Sequence, residues 1–192
     1  MKELRLKFKE IVRNGGWSLF LDRDGVINRR IEEGYVLSYD QFIFLPGATE
    51  AIAILSTHFK HIFVVTNQQA VGKKLITPTG LDSIHHRMQG EIEMAGGRID
   101  HIFVSPHLES ENNIYRKPGT GMATEASTLF TGVKLSESVM AGDSASDMQF
   151  GRDAGMINVL IGDGKNRDIN KRLFDLRFES LHSFAAFVLD CR

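Results

Sequence analysis

Short apolar runs that stop abruptly on polar residues recur along the chain. The first, Ser18–Leu21, ends at Asp22-Arg23-Asp24-Gly25, the form of a buried parallel strand that delivers polar groups at its carboxyl end. Runs at 61–65, 99–104, 138–141 and 156–161 repeat the form, ending at Thr66-Asn67, Ser105-Pro106, Gly142-Asp143 and Gly162-Asp163-Gly164. Between them, helical spacing of apolar residues covers 48–59, 78–95, 121–130 and 145–154, with a last stretch at 181–189. Alternating strand and helix predicts an α/β fold, a parallel sheet with helices on both faces. Such sheets bind ligands beyond the carboxyl ends of their strands, where these polar residues fall. Residues 28–40 lack periodicity and follow the first acidic turn directly, so they are expected to form a flap over that end, a minimal loop-type cap. Residues 1–16 read as an N-terminal extension that is either a helix on Leu4, Phe8, Ile11 and Val12 or a strand on Leu4, Leu6 and Phe8.

Composition narrows the function classes. A chain of 192 residues with 42% hydrophobic content holds one substantial core, so 1–192 is expected to be a single domain. The formal net charge of -1 favours neither a nucleic acid nor a membrane surface, and any anion must be captured locally. The single cysteine, Cys191, excludes a disulfide framework and a zinc site built from several thiolates. No apolar run reaches a membrane span, and the charged N-terminus lacks an apolar signal core, so a cytoplasmic location is expected.

The chemistry concentrates at the strand ends. Asp22 and Asp24 stand two apart, so both side chains can face one pocket while Gly25 lets the backbone turn away. Close carboxylates repel unless they share a cation or a proton. Magnesium, a hard ion that takes oxygen ligands, would settle them. Asp143 is the candidate third carboxylate, and Asp147 follows one helical turn later. Thr66 and Asn67 offer a hydroxyl and backbone N–H groups to phosphoryl oxygens, and Lys117 in Arg116-Lys117-Pro118 can neutralise a phosphate. Pro118 is expected in the first turn of the following helix. Taken singly, each motif reads as a turn, a helix cap or a solvated face. Their common place at strand ends argues for a site.

Together these motifs resemble the four motifs of the haloacid dehalogenase-type phosphatases. Asp22-Arg23-Asp24-Gly25 is similar to the first, Val64-Val65-Thr66-Asn67-Gln68 to the second, Arg116-Lys117-Pro118 to the third and Gly142-Asp143-Ser144-Ala145-Ser146-Asp147 to the fourth. The resemblance implies a three-layer Rossmann-like fold and a magnesium-dependent phosphomonoester hydrolase. It assigns Asp22 as nucleophile and Asp24 as general acid and base, with Thr66 and Lys117 at the transferring phosphoryl group. It also implies metal ligation by Asp22, the Asp24 carbonyl and Asp143, tuned by Asp147. Asp22 to Asn28, Gly34-Tyr35-Val36 and Thr66-Asn67-Gln68 further resemble the heptose bisphosphate and histidinol phosphate phosphatase group. Carried over from that group, Asn28, Asn67, Gln68 and Arg116 would bind a small phosphorylated metabolite.

One departure stands out. Members of this group often carry a zinc loop before the Arg-Lys-Pro motif, whereas here Ser105-Pro106-His107 and Asn113-Ile114-Tyr115 keep only His107 as a ligand type, so no structural zinc is expected. His85, His86 and His101 read as surface or packing residues. The favoured substrate is D-glycero-D-manno-heptose 1,7-bisphosphate, cleaved at the 7-phosphate by a monomer or homodimer. Histidinol phosphate, a polynucleotide 3'-phosphate and a catalytically idle phosphate-binding module are the competing readings.

Overall fold

The computed structural model describes residues 2–162 and 169–191. Asp163 and Gly164, expected after the fifth run, lie outside the described residues. In chain order the elements are α1 (Lys2–Asn14), β1 (Ser18–Leu21), α2 (Ala48–Ser56), β2 (His61–Asn67), α3 (Gln69–Gly72), α4 (Pro78–Met94), β3 (His101–Ser105), α5 (Gly121–Leu129), β4 (Ser138–Gly142), α6 (Ala145–Asp153), β5 (Ile157–Ile161), β6 (Leu176–Phe178) and α7 (Leu181–Leu189). The strands form one sheet in the order β3-β2-β1-β4-β5-β6, and every pairing is parallel. β1 is flanked by β2 on one side and β4 on the other. The chain therefore reverses its direction of winding at β1, the crevice where open sheets take ligands.

Strand alternation sorts the core into two layers. Leu19, Leu21, Ile62, Val64, Val139, Ala141 and Val159 face one side with Ile52, Ile84, Met88 and Phe184. Phe20, Phe63, Val65, Met140 and Leu160 face the other, against Met122, Ala126, Met148 and Phe150. Helices thus cover both faces, as alternation of elements requires. Among the described residues no helix is long and apolar enough to cross a membrane.

The N-terminal segment is a helix. Phe8 and Ile11 are buried, and the Phe8 ring meets Phe184 at 5.8 Å and Phe187 at 5.3 Å edge-on. Leu6, which a strand would have placed on the same face as Phe8, is 60% exposed.

Several boundaries differ from expectation. β2 runs on through Thr66 and Asn67, and β3 starts at His101 and includes Ser105, because the two strands stay in register to their ends, Asn67 opposite Ser105. α2 stops at Ser56 rather than at 59. There the Arg98 guanidinium takes the carbonyls of Ser56, Phe59 (2.6 Å) and Lys60 (2.8 Å), tying off the helix end. α3 and β6 were not anticipated, being only four and three residues long. Pro118 does not open α5. It lies in a turn, after a cis Lys117–Pro118 bond, and the helix starts at Gly121.

Candidate active site

The sheet sets the two central carboxylates side by side. β1 and β4 pair Leu21 with Ala141, and the ladder continues one step as Asp22 N–H donates to the Ala141 carbonyl at 2.9 Å. The next residues turn sharply. The Arg23 carbonyl accepts from the N–H groups of Ile27 (2.8 Å) and Asn28 (3.1 Å), and Gly25 N–H donates to the Asn28 carbonyl at 2.7 Å. Gly25 sits at φ +97, and a Cβ there would stand 2.0 Å from Asp143 Oδ2, so both conformation and space demand glycine. Asp143 follows the end of β4. Asp147 lies in the first turn of α6, held by a reciprocal capping box with Ser144.

Asp22, Asp143 and Asp147 are buried and each offers an oxygen within 4.8 Å of the others. Lys117 enters this acidic group from the loop before α5, with Nζ 2.6 Å from Asp22 Oδ1, 2.7 Å from the Val65 carbonyl and 2.5 Å from Asp147 Oδ1. Three buried carboxylates thus face one buried ammonium. Burial, together with Asp147 and Asp24, pushes the Asp22 carboxyl up to about 6 despite Lys117. Burial and the charges of Asp22 and Asp147 push Asp143 up to about 8. Burial works against the Lys117 ammonium, but Asp147 and Asp22 outweigh it and raise its pKa. A cluster that holds protons against its own excess negative charge is suited to a divalent cation, and its all-oxygen donors fit magnesium.

Asp24 has a different environment. Oδ1 accepts from Arg23 Nη2 and Asn28 Nδ2, both at 2.9 Å, and Oδ2 accepts from Gln68 Nε2 at 2.8 Å. Burial alone would raise its pKa, but Arg23 and these hydrogen bonds hold it below the usual carboxylate value. Its carboxylate is not part of the three-acid group. Its backbone carbonyl faces the cluster side, where Arg30 Nη2 donates to it at 3.3 Å and to Asp143 Oδ1 at 2.8 Å.

Two cavities open beside these groups. One, of about 320 Å³, is lined by Asp24, Arg30, Tyr35, Gln68, Arg116 and Ser144 among others. The second, of about 380 Å³, lies under the loop that includes Glu109, Asn112 and Asn113. Asn67, Arg116 and Ser146 line both. Residues 28–40 are fastened around the first cavity at three places. Arg30 reaches Asp143. The Tyr35 hydroxyl accepts from Gln69 Nε2 at 3.0 Å and Lys73 Nζ at 2.8 Å. Tyr39 donates to Glu91 Oε1 at 2.5 Å, with the Arg87 guanidinium 3.9 Å from its ring centroid.

The residues anticipated for substrate divide into two groups. Arg116 is half-buried, faces both cavities and donates to the His107 carbonyl at 3.3 Å. The others engage neighbouring protein groups, Asn67 and Gln68 while also lining a cavity. Asn28 is fully buried and does not line either cavity, because the turn draws it inward to hold Asp24. Gln68 bridges Asp24 and the buried Thr66, whose Oγ1 accepts from Nε2 at 2.9 Å. Asn67 makes two 3.0 Å bonds to the Lys117 backbone, Nδ2 to the carbonyl and Oδ1 from the N–H. Asp147 has Oδ1 on Lys117 and Oδ2 on Ser144, so both of its oxygens are engaged. His107 pairs with Glu111 at 2.9 Å on the surface.

Sequence reasoning missed Arg23, Arg30 and His85. Arg23 is completely buried, and its Nη1 lies 3.0 Å from Nε2 of the buried His85. Nothing in the pattern marks Arg23, which stands between two acids as a surface residue would. His85 carried a signal, since Leu81, Ile84, Met88 and Ile92 put position 85 on the buried face of α4.

Similarity to known proteins agrees with this geometry. A family model described as "HAD-hyrolase-like" matches residues 114–178. The chain is 35% identical over 177 residues to the D-glycero-alpha-D-manno-heptose-1,7-bisphosphate 7-phosphatase of Mycobacterium tuberculosis, covering 90% of this chain and 91% of that protein. It is 36% identical over 131 residues to the D-glycero-beta-D-manno-heptose-1,7-bisphosphate 7-phosphatase of Neisseria meningitidis, covering 68% and 69% respectively. The crystal structure of D,D-heptose 1,7-bisphosphate phosphatase from B. bronchiseptica complexed with magnesium and phosphate superposes with a TM-score of 0.82 at 30% identity, over 91% of this chain and 98% of that one.

Proposed function

From a chain that belongs to the haloacid dehalogenase-like phosphatases, we infer a magnesium-dependent phosphomonoester hydrolase that removes the 7-phosphate of D-glycero-D-manno-heptose 1,7-bisphosphate through an aspartyl phosphate. The observation that carries this reading is the convergence at the ends of β1 and β4. A buried carboxylate, Asp22, is locked to Lys117 and set beside a second carboxylate, Asp24, with separate hydrogen-bond partners.

In the first half-reaction an Asp22 oxygen attacks phosphorus, the bond from phosphorus to the sugar oxygen breaks, and Asp24 gives that oxygen a proton. In the second, Asp24 takes a proton from water, the water oxygen attacks phosphorus, and inorganic phosphate leaves with the Asp22 carboxylate restored. The three donors on Asp24 suit it to the base step. An incoming phosphoryl dianion opposes them and favours the protonated form that the acid step needs. Lys117 holds the Asp22 oxygen in place and balances charge on the phosphoryl group, assisted by Thr66 and local backbone N–H groups. Asn67 and Gln68 contribute indirectly, through Lys117 and Asp24. Magnesium, which Asp22, the Asp24 carbonyl and Asp143 would hold with Asp147 behind them, supplies positive charge that offsets repulsion between carboxylate and phosphate.

The named activities of the relatives support a sugar bisphosphate. So do the small cavities, and the two guanidinium groups of Arg30 and Arg116 that line one of them, available to a distal phosphate. The test is phosphate release from both anomers of heptose 1,7-bisphosphate, from histidinol phosphate and from a 3'-phosphorylated oligonucleotide, with magnesium or EDTA and with Asp22→Asn. Preferred release from a heptose bisphosphate that EDTA and Asp22→Asn both abolish is the expected result. Faster release from either other substrate overturns the assignment.

A further inference from the structure

α4 carries one imidazole on an otherwise apolar face. His85 is 5% exposed, between Leu81, Ile84, Met88 and Ile92, and its Nε2 lies 3.0 Å from Arg23 Nη1. A guanidinium has only donors, so Nε2 must present its lone pair and the ring proton must sit on Nδ1. Arg23 itself has no surface exposure. A cation that deep is costly to bury, and each donor that is engaged offsets part of the cost. Its terminal nitrogens are both engaged, Nη1 by His85 and Nη2 by Asp24, while its buried Nε has no hydrogen-bond partner among the described residues. The Phe42 ring, 5.9 Å from its Cζ, closes another side.

We propose that His85 is a positioning residue for the reaction, fixing the plane of the Arg23 guanidinium and through it the direction of the Asp24 carboxylate. A planar group held at both terminal nitrogens cannot turn about its side chain. Held at one, it can. Asp24 lines the first cavity; its Oδ1 accepts from both Arg23 and Asn28, while Oδ2 accepts from Gln68 alone among the described residues. Rotation of Arg23 therefore tilts Oδ2 away from the leaving oxygen. Burial and the Arg23 charge push the His85 pKa down to about 3, so the imidazole remains an acceptor throughout the neutral range. The contact also joins α4 to the β1 turn across 62 residues of sequence, and a packing role alone needs no acceptor at that point.

The proposal rests on Asp24 acting as the acid and base. His85→Leu keeps an apolar filler without an acceptor, and His85→Gln restores an acceptor oxygen. Steady-state kinetics on a heptose bisphosphate should show kcat about 10- to 100-fold lower for His85→Leu with KM within about twofold, since misaligned acid–base catalysis forfeits part of its about 10²- to 10⁴-fold contribution. His85→Gln should recover kcat to within about threefold at a similar melting temperature. Equal kcat in the two variants, or a loss that tracks melting temperature alone, overturns the proposal. Nitrogen-15 spectra of the wild-type histidines give a readout independent of turnover. A neutral ring protonated at Nδ1 is expected, and a proton on Nε2 overturns the contact even if the enzyme is active. A wild-type protein that shows this tautomer but hydrolyses no phosphomonoester sinks the functional reading while leaving the contact standing.

Discussion

Lys117 Nζ lies 2.6 Å from Asp22 Oδ1 with both side chains almost wholly removed from solvent, at 2% and 7% exposure. The ammonium is the principal buried counter-charge to the acidic group, so its loss has two separable effects. Lys117→Met should lower kcat by about 10²- to 10³-fold, the scale for removing one preorganised donor. It should also destabilise the metal-free fold by about 3 kcal/mol, because buried carboxylates are left unpaired. Thermal melts with and without magnesium separate the two. Added magnesium should restore much of the stability and little of the activity.

Proton linkage runs in an unusual direction for carboxylates. Asp22 is raised from 3.8 to about 6 and Asp143 from 3.8 to about 8, so between these values the folded chain binds more protons than the unfolded one. Their stabilising contribution is complete below the unfolded value and is lost as pH rises through about 6 and then about 8. Magnesium needs the ionised form, so its binding displaces these protons and its stabilising effect grows across the same window. Melting temperatures from about pH 5 to about pH 9 should fall with rising pH in EDTA and stay flatter in magnesium. Parallel curves would contradict the assignment of these acids to the cation.

Arg30 donates to Asp143 Oδ1 and to the Asp24 carbonyl, both on residues proposed to hold magnesium. A guanidinium and a divalent ion that use the same oxygens compete. The Arg30 side chain is 48% exposed, so solvent screens the interaction and the effect is modest. Arg30→Gln should tighten magnesium binding by about 3- to 10-fold, a range set by a partly screened ion pair. Isothermal titration calorimetry reads this without substrate, and an unchanged or weaker affinity rules the competition out.

Helix α1 docks through Phe8 on α7, against Phe184 and Phe187. Phe8→Ala removes a fully buried ring and should cost about 3 kcal/mol, lowering the melting temperature by roughly 6 to 12 °C. Turnover measured well below the melt should be unchanged. A fall in kcat without a fall in melting temperature would link α1 to the site instead.

What the sequence revealed and what it hid divide along a physical line. Ser18–Leu21 was legible to the residue because a short run, apolar from Leu19 to Leu21, meets an acidic pair, and both layers of the core follow from strict alternation on β1, β2 and β4. β6 escaped because Leu176–Phe178 is too short to show a period. The acids and Lys117 were legible as types at strand ends, and the structure brings them together. Asn28 was legible only as a polar residue near a site, and the fold buries it against Asp24. An asparagine that faces ligand and one that braces a neighbour have the same letter, and only the turn of the backbone decides which it is. Arg23 shows the same limit more sharply, since burial of a cation depends on a histidine 62 positions away.

The register of β1 against β4 has one more consequence. Leu21 lies opposite Ala141, and Asp22 N–H closes the next rung on the Ala141 carbonyl. The interval between the strand that delivers Asp22 and the strand that delivers Asp143 is therefore a rung of the ladder, about 4.8 Å in any sheet. The backbone acts as a ruler that no side-chain replacement can recalibrate. The segments around the cavities are tied to the two strand ends, since Lys117, next to Arg116, reaches Asp22 and Arg30, within residues 28–40, reaches Asp143. A change in those segments therefore reaches the carboxylates through individual side chains, while the spacing of the strands that bear them stays as the sheet sets it.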